Sequence, residues 1–131
     1  MHITKDEILM GRDKQFPDDY NDEISNNIDK LLIPLNQFRE LYGNSITISS
    51  GWRPPSINIK VGGASHSNHC LGLAADLHDP DGKIDAFAQE LDKSGKLKEL
   101  GLWLENPKST PGWTHLDIKD RGDRASNIFV P

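Results

Sequence analysis

From about Asp22, the apolar residues Ile24, Ile28, Leu31, Leu32, Leu35 and Phe38 recur at three-to-four spacing, which predicts a long helix with one buried face. Gly43 is a natural stop for it. Pro34 lies inside the pattern and predicts a kink or a join between two helical pieces. Ser45 to Ser49 alternates, with Ile46 and Ile48 on one side, and reads as a short strand. A loop runs from about Ser50 to Asn68, broken by Gly51-Trp52-Arg53-Pro54-Pro55 and again by Gly62-Gly63; loops of that length are often functional. Asp79-Pro80-Asp81-Gly82 reads as a turn, after which Ile84, Phe87, Ala88 and Leu91 outline a second amphipathic helix. Leu100 to Leu104 predicts a strand, Asn106 to Gly112 a turn, and the segment around His115 a further strand. Residues 1–20 read as an N-terminal arm with one short helix, and residues 119–131 as a C-terminal tail, charged and then apolar at Ile128-Phe129-Val130. With no internal repeat, low-complexity stretch or linker, residues 1–131 are expected to form a single domain.

The chemistry lies in Ser67-Asn68-His69-Cys70-Leu71-Gly72-Leu73-Ala74-Ala75-Asp76 and, downstream, in Trp113-Thr114-His115-Leu116-Asp117. Read as extended chain, Gly72, Ala74 and Asp76 point to one face and Leu73, Ala75 and Leu77 to the other. The second segment repeats the pattern, with Trp113, His115 and Asp117 opposite Thr114, Leu116 and Ile118. Two neighbouring strands with these faces aligned bring His115 beside Asp76. His69, Asp76 and His115 then offer two imidazoles and a carboxylate, a donor set that suits one catalytic Zn2+ with an open position. The fold class that follows is α+β, a small, mainly antiparallel sheet carrying the site, with helices packed on one side.

Bulk properties narrow the classes. The formal net charge of -5, without a basic run or stripe, excludes a nucleic-acid partner. No stretch approaches the ~20 apolar residues of a membrane span, so membrane insertion is not expected. The start Met1-His2-Ile3-Thr4-Lys5-Asp6-Glu7 lacks the basic and apolar regions of a secretory signal, so the expected place of synthesis is the cytoplasm. A single cysteine leaves no internal disulfide, and the expected state is a monomer.

The S-x-H-x-x-G-x-A-x-D pattern from Ser67 to Asp76, with the late W-x-H-x-D strand, resembles the zinc peptidases of the DD-peptidase/hedgehog superfamily, which includes D-Ala-D-Ala carboxypeptidases and L-alanyl-D-glutamate endopeptidases of phage lysins. Ser49-Ser50-Gly51-Trp52-Arg53-Pro54-Pro55 with Asn58 is similar to that group's "SGYRSP…N" loop, and Gly62-Gly63 to its paired glycines. The likeness spans roughly residues 22–118. It implies that His69, Asp76 and His115 hold the metal, that Arg53 orients the substrate and holds the developing oxyanion, and that the partner is a peptidoglycan stem peptide. It further implies action on the cell wall after release, as in a phage-encoded lytic enzyme. Several members carry an acidic general base three residues before the last histidine, where this chain has Gly112. Glu105 is then the first candidate for the base and Asp117 the second, although Asp117 could instead orient His115.

These residues together imply metal-assisted amide hydrolysis, in which a carboxylate takes a proton from an activated water and passes it to the leaving amine. Ser67 is a candidate substrate contact or a turn cap, and Trp113 a cleft wall or a packing residue. Arg121 and Arg124 are candidate second cations for a substrate carboxylate. His66 and His78 read as supporting or surface residues, His2 as surface, and Cys70 as a small buried residue. Trp52 and Trp103 read as packing. The competing function is a zinc-binding module that keeps its ligands, lacks the base, and serves as a virion or wall-binding component; Gly112 is the feature that favours it.

Overall fold

The computed structural model describes residues 2–131. Its longest element is α3 (Asp22–Tyr42), preceded by α1 (Lys5–Leu9) and α2 (Arg12–Gln15). Asn21 caps α3 by accepting the Ile24 N–H, and Gly43 closes it in a left-handed conformation. Pro34 neither breaks the helix nor divides it into two pieces. The proline forfeits one backbone hydrogen bond, but Ile28, Leu31, Leu35 and Phe38 on both sides of it are wholly buried and hold the axis together. The arm holds two short helices rather than one. Thr4 and Glu7 form a capping box on α1, whose Ile8 and Leu9 enter the core.

The chain continues through β1 (Ile48–Ser50), α4 (Pro55–Lys60), a 3-10 turn (Asn68–Leu71), β2 (Ala74–His78), α5 (Lys83–Lys93), α6 (Lys96–Leu100), β3 (Trp103–Glu105), β4 (Trp113–Asp117) and β5 (Ile128–Phe129). The five strands form one sheet in the order β1-β2-β4-β3-β5, antiparallel except where β5 lies parallel to β3. The architecture is α+β.

Strand register divides the sheet into two chemically distinct faces. Asp76 pairs with His115, Ala75 with Leu116, and Leu104 with Leu116. Ala75, Leu77, Leu104 and Leu116 are fully buried and join the core built on α1, α3, α5 and α6. Asp76, His115, Asp117, Trp103 and Glu105 therefore fall on the other face. That face carries the chemistry.

Several boundaries differ from the sequence reading. The segment from His69 to Asp76 is not one extended stretch, because residues 68–71 turn before β2 begins at Ala74. His69 therefore approaches Asp76 from a separate turn rather than along the same strand, and Gly72 does not share a strand face with Asp76. Within the long loop, Pro55 starts α4, since a proline is tolerated at a first helical position where its missing N–H costs nothing. The strand expected at Leu100 starts at Trp103, because Lys96–Leu100 forms α6. The tail supplies β5.

Asp79 joins helix to sheet. Its carboxylate accepts the Ile84 and Asp85 N–H groups, both at 2.9 Å, and the Thr114 hydroxyl at 3.1 Å. Asp85 beside it is buried, and its Oδ1 has no hydrogen-bond partner among the described residues. Burial pushes its carboxyl up to about 6, Asp79 adding to the rise and Thr114 opposing it. A carboxyl raised in the folded state favours folding while protonated; that contribution is lost as pH climbs from the unfolded value near 4 through 6. Asp85→Asn should therefore raise the melting temperature at pH 7.5 relative to wild type and lose that advantage at pH 4, as measured by thermal unfolding at both pH values.

Candidate active site

Three elements bring the donors together. β2 presents Asp76, β4 presents His115 directly opposite, and the 3-10 turn presents His69. Ser67 caps that turn by accepting the His69 N–H at 3.2 Å, so its hydroxyl serves the local structure as well as lining the cleft. The turn is also held by Trp52, which is fully buried and donates its indole N–H to the Cys70 carbonyl at 3.1 Å. Arg12 from α2 donates to the Trp52 carbonyl at 2.8 Å, tying the arm to the same loop.

The orientation of each imidazole follows from its outer partner. His69 Nδ1 lies 2.9 Å from the Gly51 carbonyl. A carbonyl only accepts, so Nδ1 donates to it and Nε2 is the ring atom turned toward the site. His115 Nε2 lies 2.8 Å from Asp117 Oδ2, which leaves Nδ1 for the inside of the site. His69 Nε2 and His115 Nδ1 then converge on Asp76 Oδ1 at 3.1 and 2.9 Å. One donor atom from each of the three residues lies within 4.8 Å of the others, and all three residues are buried. Zinc bonds of ~2.0–2.1 Å in a tetrahedron separate donors by roughly 3.3 Å, so this donor set fits the ion with little adjustment. Cys70 is not among the converging groups.

Charges are balanced around this cluster. Burial alone would raise the Asp76 carboxyl, but hydrogen bonds from His115 and His69 hold it far below the usual carboxylate range. Burial would lower His115, yet Asp117 and Asp76 push it up to about 9. Arg53 borders the cluster. Its Nη2 reaches Asp76 Oδ2 at 3.3 Å, Nη1 reaches Asn58 Oδ1 at 3.1 Å, and Nε reaches Ser50 Oγ at 3.0 Å. Asn58 in turn donates to the Ala64 carbonyl at 2.8 Å. A side chain on Gly63 would place its Cβ 2.0 Å from Asn58 Oδ1 and 2.7 Å from Arg53 Nη1, so only glycine allows this close approach.

A cavity of about 170 Å³ opens over the donors, lined among others by Arg53, Glu105, Trp113 and Ser67. Burial pushes the Glu105 carboxyl above its ordinary range. Gly112 stands at φ +93°, and its carbonyl accepts the Asp79 N–H at 3.0 Å. An L-residue is disfavoured there, so the turn into β4 is built for glycine rather than for an acidic side chain. Asp117 is fully buried, with both oxygens engaged by Arg121 and His115. Arg121 is thus committed to Asp117, and Arg124 lies over the Trp103 ring at 5.7 Å. His2, His66 and His78 are exposed.

Residues 2–117 match the family Peptidase M15. The chain belongs to that family. A search of curated proteins found no match. Peptidase M15 members are zinc-dependent, and the buried His-Asp-His group of this M15 chain could hold a metal ion. No helix among the described residues is long and apolar enough to cross a membrane.

The structure adds groups that the sequence reading did not assign. Asn58 was part of the motif without a role, and here it fixes Arg53. The Gly51 carbonyl fixes His69, a backbone contact that no residue type announces. Arg121, a candidate second cation for a substrate carboxylate, instead pairs with Asp117, a contact made where the chain leaves β4 and not signalled by spacing, since residues four apart are neighbours only on a helix.

His115 must shed its Nδ1 proton to serve as a metal donor, and its raised value means that the metal-free protein carries that proton at neutral pH. Calorimetric zinc titration at pH 7.5, in buffers of differing protonation enthalpy, should register release of at least one proton per ion bound. A count of zero would contradict a protonated His115.

Proposed function

We propose that this M15 chain is a zinc metallopeptidase that hydrolyses an amide bond in peptidoglycan stem peptides, with His69, Asp76 and His115 holding one Zn2+. The observation that carries the reading is the convergence of three oriented donors beneath a cleft shared by Arg53 and Glu105. When bound, zinc would supply Lewis acidity, polarising the scissile carbonyl and acidifying water.

The chain's own residues account for the rest. Arg53 is held on three sides by Ser50, Asn58 and Asp76, so its guanidinium is a pre-set cation for a substrate carbonyl or carboxylate and for the oxyanion that forms. Glu105 takes a proton from the attacking water and returns it to the leaving nitrogen; its half-buried place in the cleft, with burial pushing its carboxyl upward, suits a group that both accepts and donates a proton. Asp117 is a poorer base, because both of its oxygens are occupied. Trp113 walls one side of the cleft, and Ser67 lies at its edge as a candidate substrate contact.

The test is mass spectrometry of purified muropeptides incubated with the zinc-loaded protein, alongside a chelator control. Chelator-sensitive cleavage is expected, with product masses naming the bond and separating endopeptidase from D,D-carboxypeptidase. Glu105→Gln should lower turnover by about 10²–10⁴ while retaining zinc. Normal hydrolysis by that variant would transfer the base role to Asp117. A folded, zinc-loaded wild-type protein that cleaves no muropeptide would instead favour the zinc-binding module acting as a virion or wall component.

A further inference from the structure

The tail beyond β4 reaches back to the outer side of His115. Arg121 donates both arms of its fork to Asp117, Nη1 to Oδ1 at 2.6 Å and Nη2 to Oδ2 at 3.0 Å. Asp117 Oδ2 is the atom that faces His115 Nε2. Phe129, on β5, stacks its ring 3.7 Å from the Arg121 guanidinium carbon and stands edge-on to the His115 ring, with centroids 5.8 Å apart. One aromatic side chain therefore touches both ends of the Arg121–Asp117–His115 chain.

The tail is fixed well enough to act as a support. The Asn127 N–H donates to Asp92 at 2.7 Å, and its side chain donates to the Leu102 carbonyl at 3.0 Å. The Asn127 and Phe129 carbonyls accept the Leu104 and Asn106 N–H groups, both at 2.8 Å, placing Phe129 beside Glu105. Arg121 and Phe129 both lie outside residues 2–117, which match the family.

We propose that Arg121, backed by Phe129, is a positioning residue that acts through Asp117 to fix the His115 ring for metal binding. An ion pair buried this deeply is a costly way to gain stability alone, since each charge gives up its hydration. It is an effective way to fix a ring, because the fork admits one carboxylate plane, and that plane sets the direction of the His115 Nε2–H bond. Lysine could neutralise Asp117 but would not define its plane.

This inference rests on the zinc-site reading given above, and its test separates the two. Zinc affinity is measured by competition with a chromophoric chelator for wild type, Arg121→Gln, Asp117→Asn and the double variant, each checked for folding by circular dichroism. Arg121→Gln should weaken zinc binding by about 10–100-fold, with Arg121→Lys recovering only part of the loss. Because Arg121 acts through Asp117, its substitution should add little in the Asp117→Asn background. Wild-type affinity in Arg121→Gln, or fully additive losses in the double variant, would overturn the inference while leaving the zinc site intact. A wild-type chain that binds no zinc would overturn both. Should Arg121→Gln fail to fold, the cycle runs with Arg121→Lys and is read by the same criteria.

Discussion

The site depends on one register: β2 and β4 pair so that Asp76 stands directly opposite His115. Side chains alternate along a strand, so a slip of one residue would send His115 into the core and set Leu116 against the carboxylate. The apolar side of the same strands guards against that slip. Ala75, Leu77 and Leu116 are buried beneath the helices, and Thr114 is tied to the Asp79 carboxylate that also caps α5. The core-facing half of each strand therefore holds the site-facing half in alignment. Hydrophobic burial and site geometry are two sides of the same pairing.

The third donor depends on a different constraint. His69 arrives on a short turn, which the buried Trp52 indole and the Ser67 cap hold against the loop leaving β1. That loop also delivers Arg53 to the outer oxygen of Asp76. Asp76 thus spends one oxygen on the two imidazoles and the other on a guanidinium. Removing one member of a buried charged group commonly costs about 3–5 kcal/mol, so the carboxylate is a structural keystone of this cluster.

Much of this was legible in the chain. Alternation in two short segments placed Asp76 and His115 on matching faces, because strand periodicity of two leaves little freedom once one face is apolar. The long helix followed from its three-to-four spacing, and neither needed long-range information. What escaped depended on local exceptions or on contacts distant in sequence. Pro55 reads as a break until it is seen to start a helix, and charged Lys96, Lys98 and Glu99 disguise α6. The support that Arg121 and Phe129 give to His115 needs β5 laid beside β3, a parallel pairing that two residues, Ile128 and Phe129, cannot signal alone.

The two histidines also differ in how heritable their orientation is. His69 is held by the Gly51 carbonyl, a group present whatever side chain stands at that position, so substitution cannot delete the acceptor without displacing the backbone. His115 is held by Asp117 and, through it, by Arg121, and both can be exchanged by a single codon change. One imidazole is thus insulated from mutation while the other is open to adjustment. Evolution can vary the cluster in small steps from the His115 side without dismantling its other half.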